Sequence, residues 1–274
     1  MADGSAIEWT EATWNPVTGC TKVSPGCAHC YAETFAERWR GIPGHPYEQG
    51  FDLRLWPHRL DQPLRWRRPR VIFVNSMSDV FHEDIPEDFL REIFDVMVAT
   101  PHHTFQVLTK RPERMLELAD SLPWAPNIWM GVTIENRRFV ERAALLRAVP
   151  AAVRFISAEP LLGPLRFPEG QNSWPDFDGP ELDLAGIDWL IAGGESGGRH
   201  RPVNPQWIMN LRDACAQTGT AFFFKQWGGR TSKSRGRTLE DRLWNAMPEP
   251  CPRDPTYAQR ALAPGSRGAT LLTV

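Results

Sequence analysis

Six short apolar runs alternate with helical patterns along residues 70–227, and this alternation constrains the fold more than any other feature. The runs are nearly continuous in apolar character, which is typical of strands buried on both faces of a parallel sheet. They begin at Val71, Thr104, Ile128, Val153, Trp189 and Ala221. A further short strand near residues 13–17 raises the number of βα units to about seven. We therefore predict an α/β fold built on a TIM-like barrel of parallel strands, complete or partial.

The chain is long enough for one large α/β domain. Its 274 residues are 42% apolar and 23% charged, so it can bury a sizeable core, and global disorder is excluded. We predict one domain over residues 1–250 and a loosely structured tail over residues 251–274. No run of about 18 apolar residues occurs, so we expect no transmembrane helix. The N-terminus lacks the basic and apolar regions of a signal peptide, and we expect a cytoplasmic setting.

Three of the five cysteines lie within eleven residues of one another. Cys20, Cys27 and Cys30 form a Cys-x6-Cys-x2-Cys pattern, and the proline and glycine between them predict a loop. A short strand is predicted before this cysteine loop, and an amphipathic helix is predicted to start at its last cysteine. A loop that carries three thiols can wrap around one soft metal centre.

The three thiols are compatible with more than one kind of metal centre. Zinc prefers four ligands, and His29 or His45 could complete a Cys3His set. A [4Fe–4S] cluster normally takes four thiolates, so three of them leave one iron open to another ligand. An open iron suits sulfonium-based radical chemistry, because the amino and carboxylate groups of that cofactor can chelate it. Ligand count and spacing favour the iron–sulfur cluster, with zinc and free redox thiols as the alternatives.

Polar residues follow every predicted strand at its carboxyl end. In barrels of parallel strands these ends converge on one face, and the active site lies there. The polar residues at the ends are Asn75, Ser76, Ser78, Asp79, Thr109, Lys110, Thr133, Glu135, Ser157, Glu159, Gly194, Glu195, Lys225 and Gln226. We therefore expect these groups to face one mouth, with the cysteine loop at its rim.

Several segments carry a resemblance to known families. The cysteine loop, the aromatic residue after its last cysteine and the following βα units resemble the radical S-adenosylmethionine superfamily, whose usual spacing is Cys-x3-Cys-x2-Cys. More closely, six segments resemble the phage Gp37/Gp68 family, also carried as a domain of unknown function, over about residues 5–250. These segments are residues 14–20, 27–32, 73–79, 108–112, 157–161 and 193–197.

The resemblance implies a [4Fe–4S] cluster on Cys20, Cys27 and Cys30, with S-adenosylmethionine as second cofactor and an external electron donor as partner. In the superfamily a Gly-Gly-Glu motif after the second strand meets the amino group of the cofactor. The segment 75–79 takes that place here, which points to Ser78 or Asp79. The full set of predicted cofactor-binding residues is Ser76, Ser78, Asp79, Lys110, Gly193, Gly194 and Lys225. Lys110 or Lys225 would pair with the cofactor carboxylate.

Three glutamates are candidates for ribose contacts or for proton transfer to the substrate. They are Glu135, Glu159 and Glu195, and we take them as the predicted catalytic residues. Our first hypothesis is a radical S-adenosylmethionine-type enzyme, with modification or repair of a nucleic acid as its candidate reaction. A zinc- or cluster-stabilised nucleic-acid-binding module without catalysis is the second. The third is a metal-dependent hydrolase that uses Asp79, Glu135 and Glu159.

A nucleic-acid partner would have to bind a local patch, because the net charge is −2. Basic residues that could form such a rim are Arg65, Arg67, Arg68, Arg70, Arg111, Arg137, Arg138, Arg199, His200 and Arg201, with a second segment over residues 230–237. Trp56, Trp66 and Trp227 could stack bases beside it. A solvated basic surface balanced by acidic residues elsewhere is the alternative. We expect no membrane partner, and the sequence leaves the oligomeric state open.

Overall fold

The computed structural model describes residues 5–167, 180–232 and 234–248. Within them nine strands follow one another along the chain. The strands are β1 (Ala12–Trp14), β2 (Val17–Thr18), β3 (Arg54–Leu55), β4 (Val71–Val74), β5 (Thr104–Thr109), β6 (Ile128–Thr133), β7 (Val153–Ala158), β8 (Trp189–Gly193) and β9 (Ala221–Gln226). All six apolar runs of the sequence are therefore strands. The predicted tail over residues 251–274 lies outside the described residues.

Five α-helices occur in the same part of the chain. They are α1 (Tyr31–Ala36), α2 (Glu87–Ala99), α3 (Pro112–Leu118), α4 (Arg142–Arg147) and α5 (Pro205–Thr218). Among the described residues, none of these helices is long and apolar enough to cross a membrane.

Seven of the strands form one sheet in the order β1-β4-β5-β6-β7-β8-β9, which is their order along the chain. The pairings β1–β4, β4–β5, β7–β8 and β8–β9 are parallel. Strands β2 and β3 form a separate antiparallel pair, with Val17 opposite Leu55. Sequential parallel strands joined by helices are the topology of a partial TIM-like barrel. The predicted α/β fold with a partial TIM-like barrel is confirmed.

The chain divides into two compact units. The first comprises the described part of Met1–Gly131 with Val149–Val153, and the second comprises the described part of Val132–Ala148 and Arg154–Glu249. The prediction of one domain over residues 1–250 stays a prediction.

Helix α2 supplies much of the core of the first unit. Its apolar residues Phe89, Ile93 and Met97 recur every four residues and are buried, as expected for one face of a helix. Asn127 donates its side-chain amide to the Met97 carbonyl at 2.9 Å, which satisfies one of the last carbonyls of the helix. The helix is therefore held at its carboxyl end by the segment that leads into β6.

Helix α5 covers β8 and β9 in the second unit. The Asn204 side chain caps its first turn by accepting the Gln206 amide at 2.9 Å, and Gly219 ends it in the left-handed conformation, with a φ of 72°. Ile208, Leu211 and Cys215 are buried on its inner face. Cys215 is thus a core residue.

Stability of the first unit is expected to fall as the pH drops below about 6.5. His103 is fully buried and its Nε2 lies 3.1 Å from the Pro63 carbonyl oxygen. Burial, followed by the charges of His102 and Arg70, lowers the pKa of His103 to about 4. Because the unfolded chain takes up this proton near pH 6.5 and the folded chain only near pH 4, unfolding becomes easier across that interval, by about 2–3 kcal/mol.

Urea unfolding at several pH values measures this loss. His103→Gln is expected to flatten the pH dependence between about pH 6.5 and pH 4. His58→Gln, at an exposed histidine of the same unit, is the control and is expected to leave it unchanged. An equal pH dependence in wild type and His103→Gln would contradict the prediction.

Candidate functional site

The cysteine loop, residues 19–30, lies between β2 and α1 in the first unit. Cys30 occupies the position just before the first helical residue, Tyr31. The Tyr31 hydroxyl donates to the Ser76 carbonyl, so the helix start is joined to the segment after β4. The predicted placement of the loop between a strand and a helix is confirmed.

Gly19 fixes the start of the loop. Its φ is +86°, and a Cβ atom at this position would lie 2.2 Å from the Asp52 carbonyl oxygen. Only glycine fits both the left-handed backbone and this close approach. The Gly19 amide donates to the Met77 carbonyl at 3.0 Å, and Gly19 forms a parallel bridge with Ser78. The cysteine loop therefore begins directly beside the segment that follows β4, with Cys20 as its next residue.

Cys20, Cys27 and Cys30 are free thiols of intermediate exposure. Burial raises the pKa of Cys20 to about 11; the charges of Asp79 and Cys27 add to this rise, and Arg111 opposes it. Burial also raises the pKa of Cys30, where Lys110 acts in the opposite direction and Cys27 adds to the rise. Cys27 is thus within electrostatic range of both other cysteines. Three thiolates in this loop would require compensating positive charge.

The donor set of the loop fits a soft metal centre. Three sulfur ligands suit zinc or an iron–sulfur cluster and do not suit magnesium or calcium. In the described part of the chain, no three His, Cys, Asp or Glu side chains form a ready-made metal site. Of the two histidines considered as a fourth ligand, His45 accepts the Tyr47 amide on Nδ1 at 3.1 Å and stacks on Trp39 at 4.2 Å.

Arg111 joins the loop to the ends of β4 and β5, and the sequence did not single it out for this role. Its Nη1 lies 3.4 Å from Cys20 Sγ and 3.4 Å from Asp79 Oδ2. Its Nε donates to Glu83 at 2.8 Å, and its Nη2 donates to the Thr21 hydroxyl at 2.7 Å. In the sequence, Arg111 stood out only as a basic-rim candidate and as part of the segment 108–112, after Lys110 at the end of a strand.

Asp79 is used within the protein. Its Oδ1 accepts from the Thr109 hydroxyl at 2.8 Å and from the Phe81 amide at 3.0 Å. Its Oδ2 accepts from the Lys110 amide at 2.9 Å and from Arg111. The carboxylate thus joins the ends of β4 and β5, with two donors on each oxygen.

Ser76 and Ser78 differ in their hydrogen bonding. The Ser76 hydroxyl donates to the Asn15 side chain at 3.2 Å. The Ser78 hydroxyl is buried, and among the described residues it has no hydrogen-bond partner. A buried hydroxyl without a partner costs free energy, so Ser78 has an unused hydrogen-bonding group next to the start of the cysteine loop.

In the second unit, the predicted catalytic glutamates have different environments. Glu135 is fully buried and pairs with Arg142, whose Nη1 donates to it at 3.2 Å and to the Thr133 carbonyl at 2.7 Å. Glu195 is 6% exposed and receives the Arg201 amide and Nε on one oxygen, at 2.8 and 2.9 Å. The pKa of Arg201 is raised, first by its hydrogen bond to Glu195 and also by the Glu135 charge.

Glu159 and Lys225 form an ion pair that solvent can reach. Lys225 Nζ lies 2.7 Å from Glu159 Oε1, and the two side chains are 17% and 18% exposed. A Cβ at Gly193 would lie 3.6 Å from the Glu159 carboxyl carbon, so this glycine borders the pair. At Gly194 a Cβ would lie 2.2 Å from the Trp227 carbonyl oxygen, and glycine is therefore required for packing.

The predicted basic rim needs correction. Arg111 and Arg137 are buried, with 7% and 5% exposure, because each is drawn into internal hydrogen bonds. Trp56 is also buried, and Arg54 and Arg59 lie over its ring at 4.1 and 4.0 Å. Its ring is therefore not available to stack a base.

A family model described as "Protein of unknown function (DUF5131)" matches residues 4–248. The chain belongs to the DUF5131 family. The resemblance to the phage Gp37/Gp68 family stays a prediction. No curated protein sequence matches the chain.

Solved structures of spore photoproduct lyase show a distant likeness to this DUF5131 protein. The structure with bound AdoMet and dinucleoside spore photoproduct is 15% identical, with a TM-score of 0.41 over 75% of this chain and 61% of that one. A cysteine-to-serine variant is 16% identical, with a TM-score of 0.44 over 78% of this chain and 63% of that one. This chain thus spans less than two thirds of these two lyase chains.

A tyrosine-to-phenylalanine variant of the same lyase is 13% identical, with a TM-score of 0.45 over 76% of this chain and 74% of that one. Because all three TM-scores are below 0.5, no residue role is transferred from these enzymes to the DUF5131 chain.

The predicted site residues of the DUF5131 protein therefore fall into two groups. Ser76, Ser78, Asp79 and Lys110 lie in the first unit with the cysteine loop. The second unit contains Gly193, Gly194 and Lys225 together with the three glutamates. The prediction that all of them face one mouth stays a prediction.

Proposed function

We propose that this DUF5131 protein is a radical S-adenosylmethionine-type enzyme that holds a [4Fe–4S] cluster on Cys20, Cys27 and Cys30. The observation that carries the proposal is the set of three free thiols of intermediate exposure on one short loop. Three thiolates satisfy three irons and leave the fourth open to a cofactor. When bound, such a cluster supplies the electron that splits S-adenosylmethionine reductively.

Ser78 is the residue of the first unit best placed to bind the cofactor. Its buried hydroxyl has no partner among the described residues, and its backbone pairs with Gly19, next to Cys20. A hydroxyl can accept a hydrogen bond from an ammonium group and donate one to a carboxylate. Asp79 is less suited to this role, because four internal donors occupy its oxygens. Lys110 acts on Cys30 and would attract a carboxylate near the loop.

In the second unit, Glu159 is the glutamate best suited to move a proton. Its ion pair with Lys225 is accessible to solvent. Glu135 and Glu195 are held by Arg142 and Arg201 in places that solvent hardly reaches. We infer that these two glutamates act mainly by holding their arginines, since a buried, paired carboxylate exchanges protons poorly with a substrate.

A nucleic acid is the substrate class that we propose for the reaction. The support is the pair of guanidinium groups over Trp56, because Trp56 Nε1 donates to Thr18 at 2.8 Å, immediately before the cysteine loop. Arg54 is exposed and lies in β3, which pairs with β2. An exposed guanidinium group, such as that of Arg54, can bind phosphates of a nucleic-acid backbone whatever the base sequence.

Anaerobic reconstitution with iron and sulfide tests the proposal. We expect a brown protein with about four irons per chain, and 5′-deoxyadenosine when S-adenosylmethionine and a strong reductant are added. A colourless protein that holds one zinc per chain would overturn it. A cluster and nucleic-acid binding without 5′-deoxyadenosine, under any reductant, would instead support the non-catalytic binding module.

Ser78→Ala is expected to weaken binding of S-adenosylmethionine about tenfold, because one hydrogen bond to a charged group is lost. The free energy of unfolding is expected to change by less than about 0.5 kcal/mol, because the hydroxyl has no protein partner to lose. Equilibrium binding to the reconstituted protein and urea unfolding measure the two effects.

Ser121→Ala is the matched control in the same unit. Its hydroxyl donates to the Leu118 carbonyl at 2.9 Å, at the end of α3. Ser121→Ala is expected to leave cofactor binding unchanged. Wild-type affinity in Ser78→Ala would remove Ser78 from the proposed cofactor site.

A further inference from the structure

Arg111 contacts the sulfur of Cys20 with a guanidinium group that is itself held in place. The residue precedes α3, and its side chain is 8% exposed. All three guanidinium nitrogens donate hydrogen bonds, and the acceptors are Cys20, Thr21, Asp79 and Glu83. A cation this well surrounded does not serve a solvated surface.

The side chain is oriented from the strand ends. Asp79, which accepts from Arg111, is fixed by the Thr109 hydroxyl and by the amides of Phe81 and Lys110. The Arg111 amide also donates to the Thr109 hydroxyl at 2.9 Å. One side of the guanidinium is therefore anchored to the segments that follow β4 and β5.

The same guanidinium holds the first part of the loop. Nη2 donates to both the carbonyl and the hydroxyl of Thr21, at 3.2 and 2.7 Å. The Thr21 hydroxyl also lies 2.9 Å from His82 Nε2. Cys20 and Thr21 are thus attached to the strand ends through one arginine.

A cationic donor on a ligand sulfur has a second effect. Hydrogen bonds to cluster sulfurs and positive charge nearby favour the reduced, more negative state of an iron–sulfur cluster. Arg111 hydrogen-bonds a cysteine sulfur of the loop, with 3.4 Å between its Nη1 and Cys20 Sγ. Lysine in its place would keep the positive charge but lose the planar guanidinium group that contacts Cys20 Sγ, Thr21 and Glu83 at the same time.

We propose that Arg111 is a positioning residue that holds the Cys20 arm of the cysteine loop and raises the reduction potential of the cluster bound there. This inference rests on the proposed function, because it requires a cluster on Cys20, Cys27 and Cys30. Arg111 would thus influence electron transfer by changing the reduction potential of the cluster, without contacting the substrate.

The test compares Arg111→Met and Arg111→Lys with Arg114→Met in the full chain. Arg114 lies in α3, which begins directly after Arg111, and donates to the carbonyls of His82 and Ile85, without contact to a cysteine among the described residues. Each protein is reconstituted anaerobically, and its midpoint potential is measured by a redox titration followed by EPR. The rate of iron loss to a chelator is measured in parallel.

We expect a more negative midpoint potential and about tenfold faster iron loss in Arg111→Met. Arg111→Lys is expected to fall between this variant and wild type, and Arg114→Met to match wild type. Because Arg111→Met uncovers the Asp79 charge, the double variant Asp79→Asn/Arg111→Met is compared with Asp79→Asn alone. The double variant is expected to have the more negative potential of the two.

The possible results separate the two levels of the proposal. A wild-type protein that binds no cluster overturns the proposed function and this inference together. A wild-type cluster whose potential is unchanged or more positive in Arg111→Met and in the double variant overturns the role of Arg111 and leaves the proposed function standing. Iron loss as slow as that of wild type in both variants would refute the holding role.

Discussion

Replacing Cys20, Cys27 and Cys30 by alanine is expected to reduce the iron and sulfide content of the reconstituted protein to near zero. The loop offers three sulfur donors, and removing them leaves no soft ligand within it. The iron–thiolate bonds attach the cluster to the chain, and no other group of the loop replaces them. Single replacements are expected to lose most of the iron as well, since two thiolates hold a cubane cluster poorly. Iron and sulfide assays on anaerobically reconstituted protein measure the loss.

Cys215→Ala is the matched control for these variants. Cys215 is buried in α5, in the second unit, and is 1% exposed. Its replacement is expected to cost about 1 kcal/mol of stability, from the small cavity, and to leave the iron content at the wild-type value. A triple variant that retains the full iron content would refute the ligand assignment.

Arg142→Met is expected to lower the free energy of unfolding by about 3–5 kcal/mol. Glu135 is fully buried, and the variant removes the Arg142 guanidinium whose Nη1 lies 3.2 Å from its carboxylate. It also removes the 2.7 Å hydrogen bond to the Thr133 carbonyl and the stacking of the guanidinium on Phe139 at 4.1 Å. Urea unfolding followed by circular dichroism measures the change.

Two further variants show whether the uncovered charge is the cause. The double variant Glu135→Gln/Arg142→Met removes both charges and is expected to recover part of the lost stability. Arg147→Met, in the same helix, breaks a partly exposed pair with Asp183 and is expected to cost about 1 kcal/mol or less. Equal losses in the single and double variants would show that packing, and not charge, dominates.

The strands of the sheet could be predicted because each is a local apolar run. Strand β4, Val71–Val74, is buried at every residue, and a continuous apolar run in the sequence predicts such burial. The cysteine loop could be predicted for a similar reason, because all its ligands lie within one short segment. Both features depend on neighbouring residues in the chain.

The roles of the strand-end carboxylates could not be predicted in the same way. Asp79, Glu135, Glu159 and Glu195 all follow strands and look alike in sequence. Their partners differ in the structure: Asp79 has four internal donors, whereas Glu159 shares a solvent-accessible ion pair with Lys225. The partner of each carboxylate depends on strand register and on loops distant in sequence.

The basic rim illustrates the same difference. The sequence shows which residues are charged but not which are exposed, and it predicted Arg111 and Arg137 as members of a basic surface rim. Both are buried because acceptors brought in from other segments surround them, such as Glu83 for Arg111 and the Pro180 carbonyl for Arg137. Whether a guanidinium meets solvent or an internal acceptor is decided by packing.

The sequence by itself determined the parallel α/β sheet and a loop with three thiols, since apolar runs and cysteine spacing are local properties of the chain. Tertiary structure alone decided that Arg111 lies against Cys20, 91 residues away, and that Ser78 has a buried hydroxyl beside Gly19. The physical reason is that hydrogen bonds and charge compensation depend on distances of a few ångströms. Those distances are set when the ends of β4 and β5 come together, with Val74 opposite Val107.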